Sequence, residues 1–404
     1  MTDTKHIWHS RYYMILRFYL SLSGIWPYHN LRNQCIRFVP MLTFCSGILI
    51  PQLFYFFNGP ISLDDIFECV PQIFISSVMG FKLSYIMFNI DKVKICLNMI
   101  EKDWLSLNEA EKAILVRHTE YGRYITTVYA VFMHTLACLF LLKPIMLTVL
   151  SEDTVNVTKS SITTASKLPF RVEYGKRFDQ YLYPITIHCY GAIFAHSFVI
   201  IATDALYSSL IQHACGMFSI VGYVLENVGK NGDVNFDLNL KKIKDDNYMK
   251  VLDCLRRHLH VIEFAELIES LYTKIFLVNV NINMIGGSLA GIQILMSLEG
   301  SAKDIAGPVT IYIAQLLHLF LHFWQAQFLL DYSALPYESV CRANWYYTSK
   351  RCRKLFLLIM NRTTLPCTMT AGKLMTLSIE NFGVVNKTVI IFNFFYRYNH
   401  CLLR

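Results

Sequence analysis

Seven mostly apolar stretches recur along the chain, at Phe38–Phe57, Ile66–Ile90, Tyr124–Leu150, Gln180–Leu210, Ile275–Leu298, Gly307–Leu330 and Leu374–Tyr396. Each is long enough, at about 1.5 Å per residue, to cross a bilayer core of about 30 Å as a helix. Hydrocarbon offers backbone groups no water, so a helix that satisfies its own N–H and C=O groups is the expected element. The expected fold is all-α, a seven-transmembrane helical membrane protein. With 54% apolar and only 16% charged residues, the chain is too oily for a soluble domain, where charged residues make up about 25%. Pro40, Pro51, Pro71 and Pro184 lie within or at the ends of spans and predict kinks rather than breaks.

The net charge of +8 does not mark a nucleic-acid surface, because the lysines and arginines are scattered between apolar blocks. Their distribution reports topology. The N-terminal region and the connections at 91–123, 211–274 and 331–373 hold 26 of them, against eight in the alternate connections and the tail. Positive loops stay in the cytoplasm, so the N-terminus is expected inside and, after seven crossings, the C-terminus outside. That is the reverse of a G-protein-coupled receptor. The sequon at Asn156 then falls outside and is a glycosylation candidate. Twelve cysteines form no C-x-x-C pair, and Cys45, Cys138 and Cys189 sit in apolar stretches, so neither a zinc site nor a disulfide framework is expected. The first apolar stretch, Tyr12–Pro27, carries Arg17 in its middle and no convincing cleavage site, so the N-terminus is expected to be retained. Lys5, Arg11 and Arg17 alternate there with Trp8, Tyr12, Ile15, Phe18 and Leu22, as in a helix on a membrane surface.

Apolar residues keep a helical spacing over Leu206–Val228 and Val251–Tyr272, so the fourth and fifth spans are expected to run on beyond the bilayer as helices. Lys230–Asp246, rich in Asn, Asp, Gly and Lys, reads as a loop. The chain thus divides into an N-terminal cytoplasmic or interfacial region (1–37), spans one to four (38–210), a cytoplasmic helical extension and loop (211–274), spans five and six (275–330), a second cytoplasmic region (331–373), a last span (374–396) and an extracellular tail (397–404). The last span is the least lipid-like. Glu380, Asn381, Gly383, Asn386 and Lys387 interrupt it, and polar groups inside a membrane usually face protein or water. It is expected to meet neighbouring helices or copies of itself around an aqueous path.

Four groups of residues, in order, resemble the insect odorant receptor family: Ser23-Gly24-Ile25-Trp26-Pro27; Asp204–Gly216 with Leu225-Glu226-Asn227; Arg256–Leu277; and Thr370-Ala371-Gly372-Lys373 followed by Leu377–Phe382. The resemblance covers nearly the whole chain. It implies an odour-binding subunit of an odorant-gated, non-selective cation channel, in a tetramer with a shared co-receptor, in the cell membrane of olfactory sensory neurons. It implies further that cytoplasmic extensions form an anchor between subunits and that the seventh spans line the pore. The implied ligand is a small volatile organic molecule; lipid surrounds the protein, and no cofactor, nucleic acid or enzymatic activity is implied. The chain is shorter than the co-receptor in the loop between spans four and five. A seven-span chemoreceptor that signals without its own pore is the alternative, and it would need the opposite orientation and Asp-Arg-Tyr and Asn-Pro-x-x-Tyr type motifs, which the sequence lacks.

The resemblance places the ligand between the second, third, fourth and sixth spans. Candidate lining residues are Phe74, Ser77, Val78 and Phe81; Met133, Ala137 and Phe140; Tyr190 and Phe194; and Tyr312, Gln315 and Leu316. Such a lining would bury a volatile's carbons at about 25 cal/mol per Å2, with one or two hydrogen bonds fixing orientation. Plain helix packing is the alternative role for each. On the last span, Ile391, Phe395 and Asn399 recur at four-residue spacing on one face, and a ring of large apolar side chains closes a pore by dewetting it. Phe395 matches the family's gate position, with Phe392 or Phe394 as the alternative register. Lys82 and Asp204 are intramembrane charges expected to pair or to snorkel. His318 and His322 have a metal-compatible spacing, but no carboxylate or cysteine is evident beside them, so a packed or hydrogen-bonded pair is expected. Gly287-Ser288-Leu289-Ala290-Gly291 permits close helix approach.

Overall fold

The computed structural model describes residues 7–58, 63–152, 168–175, 179–229, 246–297 and 305–402, and nearly all of them are helical. A short α1 (Met14–Leu22) precedes a first span built from α2 (Leu31–Gly47) and α3 (Leu49–Asn58). Then come α4 (Leu63–Phe88), α5 (Ile90–Ser106), α6 (Glu109–Glu152), α7 (Leu182–Asn227), α8 (Asp246–Ser297), α9 (Ala306–Arg342) and α10 (Lys350–Thr363). A two-stranded hairpin, β1 (Thr370–Ala371) with β2 (Met375–Thr376), leads into α11 (Ile379–Leu402).

The seven expected spans are the α2–α3 pair, α4, α6, α7, α8, α9 and α11. Among the described residues, five helical stretches, from Leu31–Phe57 to Asp246–Ser297, are long and apolar enough to cross a membrane by length and composition. Helices α9 and α11 are more polar. On α9 the polar residues include His318, His322 and Gln325, which bond to other helices inside the bundle.

Helix α7 has 46 residues and α8 has 52, about 70 and 80 Å at 1.5 Å per residue, more than twice a bilayer core. The overrun read from the periodicity is therefore present. The overhanging ends pack on the end of α9 and on α10 through Val221, Leu225, Cys254, Val340, Phe356 and Ile359. One chain thus supplies its extension with a core of its own. The connection at 91–123 adds α5, whose Val93, Cys96, Leu97 and Ile100 are fully buried. Helix α1 docks on the bundle through Leu16, Tyr19 and Leu20 and leaves Met14 and Phe18 exposed.

Two boundaries differ from expectation. The first span breaks at Ile48 instead of kinking, because Pro51 has no N–H for the Gly47 carbonyl and its ring crowds that turn. The Pro51 carbonyl accepts a hydrogen bond from the Glu173 N–H at 3.0 Å. Pro40 and Pro71 remain inside continuous helices. The last helix starts at Ile379 rather than Leu374, because the chain first reverses at Gly372 and Lys373, whose φ values are +62° and +63°. Two left-handed residues in succession make a tight hairpin turn, closed by Leu374 N–H to Ala371 C=O at 3.1 Å. Asn156 lies outside the described residues.

Candidate functional site

Helices α4, α6, α7, α8 and α9 bring their polar side chains to one point. Lys82 Nζ lies 3.0 Å from Asp204 Oδ1, and the two side chains are 0% and 2% exposed. The pair is therefore formed inside the bundle, and snorkelling is not used. Asp204 Oδ2 accepts from Tyr129 OH at 2.8 Å, and Oδ1 lies 3.1 Å from His322 Nε2. Asn279 Nδ2 approaches His318 Nε2 at 3.3 Å and His322 Nδ1 at 3.4 Å. As an amide donor it assigns acceptor character to both of those nitrogens. The opposite nitrogens then carry the protons, so His322 Nε2–H donates to Asp204 and His318 Nδ1–H donates to Tyr129 O at 2.9 Å. A carboxylate does stand beside the two histidines, contrary to expectation, because α7 carries Asp204 between α4 and α9. Single ligand atoms of Asp204, His318 and His322 all lie within 4.8 Å of one another, a set with metal-ligand chemistry. The Lys82 ammonium already holds the place of a cation on Asp204, and a metal would have to displace it.

One helical turn along α8, Asn283 donates to the Asn279 carbonyl at 2.7 Å and faces a cleft. Asn283 and Gly287 of α8, Tyr312, Gln315, Leu316 and Leu319 of α9, and Val385, Asn386 and Val389 of α11 line it. Its empty volume is about 260 Å3, counting space open to the surroundings. The glycines of α8 make the seam with α11 possible. A methyl group at Gly291 would meet Asn393 Nδ2 at 2.0 Å, whereas one at Gly287 would sit 3.6 Å from Tyr312 and Val389.

Three of the expected ligand residues, Tyr312, Gln315 and Leu316, thus face α8 and α11. Val78 joins the main core with Phe81 and Met133 against it, while Ala137, Phe140 and Tyr190 belong to a separate apolar cluster. Ser77 donates to the Ile73 carbonyl, Phe74 is half-buried, and Phe194 is exposed. On α11, Ile391 and Phe395 are exposed, but so are Phe392 and Phe394, so exposure does not select one face. Asn399 lies on α11 near its end.

The family model described as 7tm Odorant receptor matches residues 62–390. The chain belongs to this odorant receptor family. Odorant receptor 13a of Drosophila melanogaster is 21% identical over 202 residues, which are 47% of this chain and 46% of that protein. The chain therefore spans about half the length of the curated relative it matches. The fold resembles that of the olfactory receptor OR5 of Machilis hrabei, solved in complex with eugenol, with TM-score 0.70, 13% identity, and 97% and 98% of the two chains covered. A second structure of the same receptor matches at TM-score 0.70 and 13% identity, covering 98% and 99% of the two chains. The apolar helices and the family make the chain a multi-pass membrane protein.

In this chain the Thr370-Ala371-Gly372-Lys373 motif has a structural task that sequence reading missed. The hairpin is stitched to one face of α8 at four-residue intervals. Glu269 accepts from Lys373 Nζ at 2.7 Å and from Thr370 Oγ1, Thr273 C=O accepts from Gly372 N–H at 2.9 Å, and Leu277 covers Gly372, where a Cβ would come within 2.7 Å of it. Asn381 then caps the entrance to α11 by donating to Thr376 O at 2.8 Å. The signal was the Gly-Lys pair after a helical segment carrying Glu269 and Thr273, but the pairing partner lies about a hundred residues upstream.

Proposed function

We propose that the chain is the odour-binding subunit of a ligand-gated, non-selective cation channel that assembles as a tetramer with a shared co-receptor in the membrane of olfactory sensory neurons. The observation that supports this reading is the exposed flank of α11, which carries charged side chains as well as apolar ones, in contrast to an α7 that is buried nearly throughout. A helix with Glu380 and Lys387 exposed, and with large apolar residues at its far end, suits a wall of a pore completed by other subunits. Ile391, Phe395 and Asn399 form the gate in this reading. Positive-inside bias puts the N-terminus in the cytoplasm and Asn156 outside, available for glycosylation. The extension of α7, α8, α9 and α10 is then the cytoplasmic anchor against neighbouring subunits.

The ligand is a small volatile organic molecule, in keeping with the eugenol complex of the Machilis receptor. In this reading the lining is made by the residues of α4, α6 and α7 from Phe74 to Phe194 together with Tyr312, Gln315 and Leu316 of α9, and the last three, which border the cleft toward α8 and α11, would connect the ligand to the last helix. Binding opens the channel only if the open state is bound more tightly than the closed one.

Expression with and without a co-receptor, with currents recorded against an odour panel, tests the assembly. Odour-evoked cation currents that require both chains are expected. Absence of current with any partner, or a tag showing the N-terminus outside, counts against the channel. Recorded from an assembly lacking the co-receptor's own gate, Ile391→Ala and Phe395→Ala are expected to change permeability and block, and unchanged currents refute the pore assignment.

A further inference from the structure

We propose that the corner between α1 and α2 is a binding site for the headgroup phosphate of an anionic phospholipid, held by Arg17 and Arg37. The first observation is charge. From Thr4 to Leu63 the chain has no acidic residue and five basic ones, Lys5, Arg11, Arg17, Arg32 and Arg37. Glu120 of α6 takes Arg11 at 2.6 Å, whereas Arg17, Arg32 and Arg37 have no ion-pair partner among the described residues.

The second observation is that two of these three are gathered. Gly24, at φ +75°, turns the chain so tightly that a Cβ there would come within 2.4 Å of the Phe38 nitrogen. The end of α1 is thereby set against the start of the first span. Arg37 donates from Nη1 to the Ser21 carbonyl at 3.1 Å and to the Ser21 hydroxyl, which in turn lies 3.3 Å from His29 Nε2. Arg17 stands one turn before Ser21 on the same face of α1. Burial, and then the charges of Arg37 and Arg17, hold His29 below its ordinary value of 6.5. A neutral imidazole thus sits in the field of two guanidiniums that lack a counter-charge, and guanidinium forks match phosphate oxygens. Arg32, five residues before Arg37 and so roughly 140° round α2, stands outside the group.

The third observation identifies the phosphate as a lipid's. Met14 and Phe18, in the row of α1 beside Arg17 and Ser21, are exposed, and so are Ile36 and Val39 on either side of Arg37 along α2. Acyl chains would cover this apolar rim, which a soluble phosphate would leave bare. In the orientation proposed above, the corner meets the cytoplasmic leaflet, where anionic lipids are held.

The full chain, purified in detergent, is titrated with dioleoyl phosphatidylglycerol or dioleoyl phosphatidylcholine, and bound lipid is counted by native mass spectrometry. The choline brings its own ammonium against the arginines, so phosphatidylglycerol is expected to bind roughly fivefold to tenfold more tightly. Arg17→Gln, which forfeits within the chain only a contact with His9, should bring the two lipids within about twofold of each other. Arg32→Gln removes the same charge outside the group and should leave the preference intact. Glycerol 3-phosphate in excess should displace little of the lipid. Equal binding of the two lipids by the unmodified chain, an equal loss of preference in Arg17→Gln and Arg32→Gln, or complete displacement by glycerol 3-phosphate would overturn the proposal, the last by assigning the corner to a soluble phosphate. Binding in detergent needs no co-receptor, current or orientation. A preference lost only in Arg17→Gln, in a chain whose N-terminus proves external, would therefore keep this site and sink the channel reading.

Discussion

Helices α7 and α11 are both long and apolar, yet they occupy opposite surroundings. Along α7, buried residues run from Ile185 to Leu225 with few interruptions. On α11, Val384, Ile390, Ile391, Phe394, Phe395 and Tyr398 are exposed, and Val385 and Val389 are buried. Lipid alone would account for exposed apolar side chains. It does not account for the polar ones. Asp204, Gln212 and His213 of α7 each have a partner on another helix, whereas Glu380 and Lys387 of α11 are exposed and, among the described residues, have no ion-pair partner. The first helix is completed by its own chain. The second leaves charged side chains without an ion-pair partner among the described residues, as the proposed pore wall would require.

That contrast is broken most easily at Asp204. Asp204→Ala strands the Lys82 ammonium in the bundle and is expected to cost about 3–5 kcal/mol, since removing one partner leaves an uncompensated buried charge. The double variant Lys82→Met with Asp204→Leu removes both charges and should recover most of that loss. Thermal unfolding of the purified chain by fluorescence-detected size exclusion reads both, and a double variant no better than the single one would show that the histidine and tyrosine bonds, not the ion pair, carry the stability.

The same comparison is sharpened by two truncations of equal chemistry. Phe218 of α7 is 0% exposed and Phe395 of α11 is 65% exposed. Phe218→Ala should destabilise by about 3–5 kcal/mol, and Phe395→Ala by under about 0.5 kcal/mol. Comparable losses in the chain alone would mean that α11 is packed within its own subunit.

The spans were legible because an apolar run of bilayer length has few other uses, and the overrun of α7 and α8 because the period of 3.6 continues past the run. Position along the chain also exposed Lys82 and Asp204 as intramembrane charges. Their pairing was not legible, since 122 residues separate them, nor was the carboxylate beside His322, which is 118 residues away. Periodicity says which residues share a face but not which neighbour that face meets. Gln315 was expected in the ligand lining, yet only the packing of α8 and α11 reveals the cleft it borders. The hairpin before α11 escaped for a related reason: Lys373 adopts a left-handed conformation that its residue type does not advertise.

A smaller effect distinguishes the extension from the spans. Asp103 of α5 accepts from His213 Nε2 at 2.9 Å and from His260 Nε2 at 3.0 Å. Burial pushes its carboxyl up, but the hydrogen bonds and charges of the two histidines outweigh that and hold it below its ordinary value of 3.8. A depressed carboxyl contributes stability that is present above the unfolded value and lost as pH falls through the folded one. Melting curves should therefore show an acid limb beginning below about pH 4. Asp103→Asn should flatten that limb and cost about 1.5–3 kcal/mol at neutral pH, because the two histidines meet different carboxylate oxygens and an amide replaces one of those acceptors with an NH2 donor. An unchanged limb would assign the acid sensitivity to other carboxyls.

The smallest expected change is at the hairpin that joins α8 to α11, where two terms oppose each other. Lys373 is held at φ +63°, which costs an L-residue roughly 1–2 kcal/mol and costs glycine almost nothing. Its ammonium bonds Glu269, but that side chain is 71% exposed, and an exposed ion pair contributes about 0–1 kcal/mol. Glycine also gains more freedom in the unfolded chain, which offsets part of the relief. Lys373→Gly should accordingly move stability by less than about 0.5 kcal/mol. Glu269→Ala differs, since it strips the acceptor from both Lys373 and Thr370 and should cost about 1–2 kcal/mol. Hydrogen exchange at the Gly372 amide, bonded to the Thr273 carbonyl at 2.9 Å, separates the two: it should accelerate in Glu269→Ala and stay slow in Lys373→Gly. Equal acceleration in both would make the lysine, rather than the glutamate of α8, the clasp that holds the last helix to the packed body of the chain.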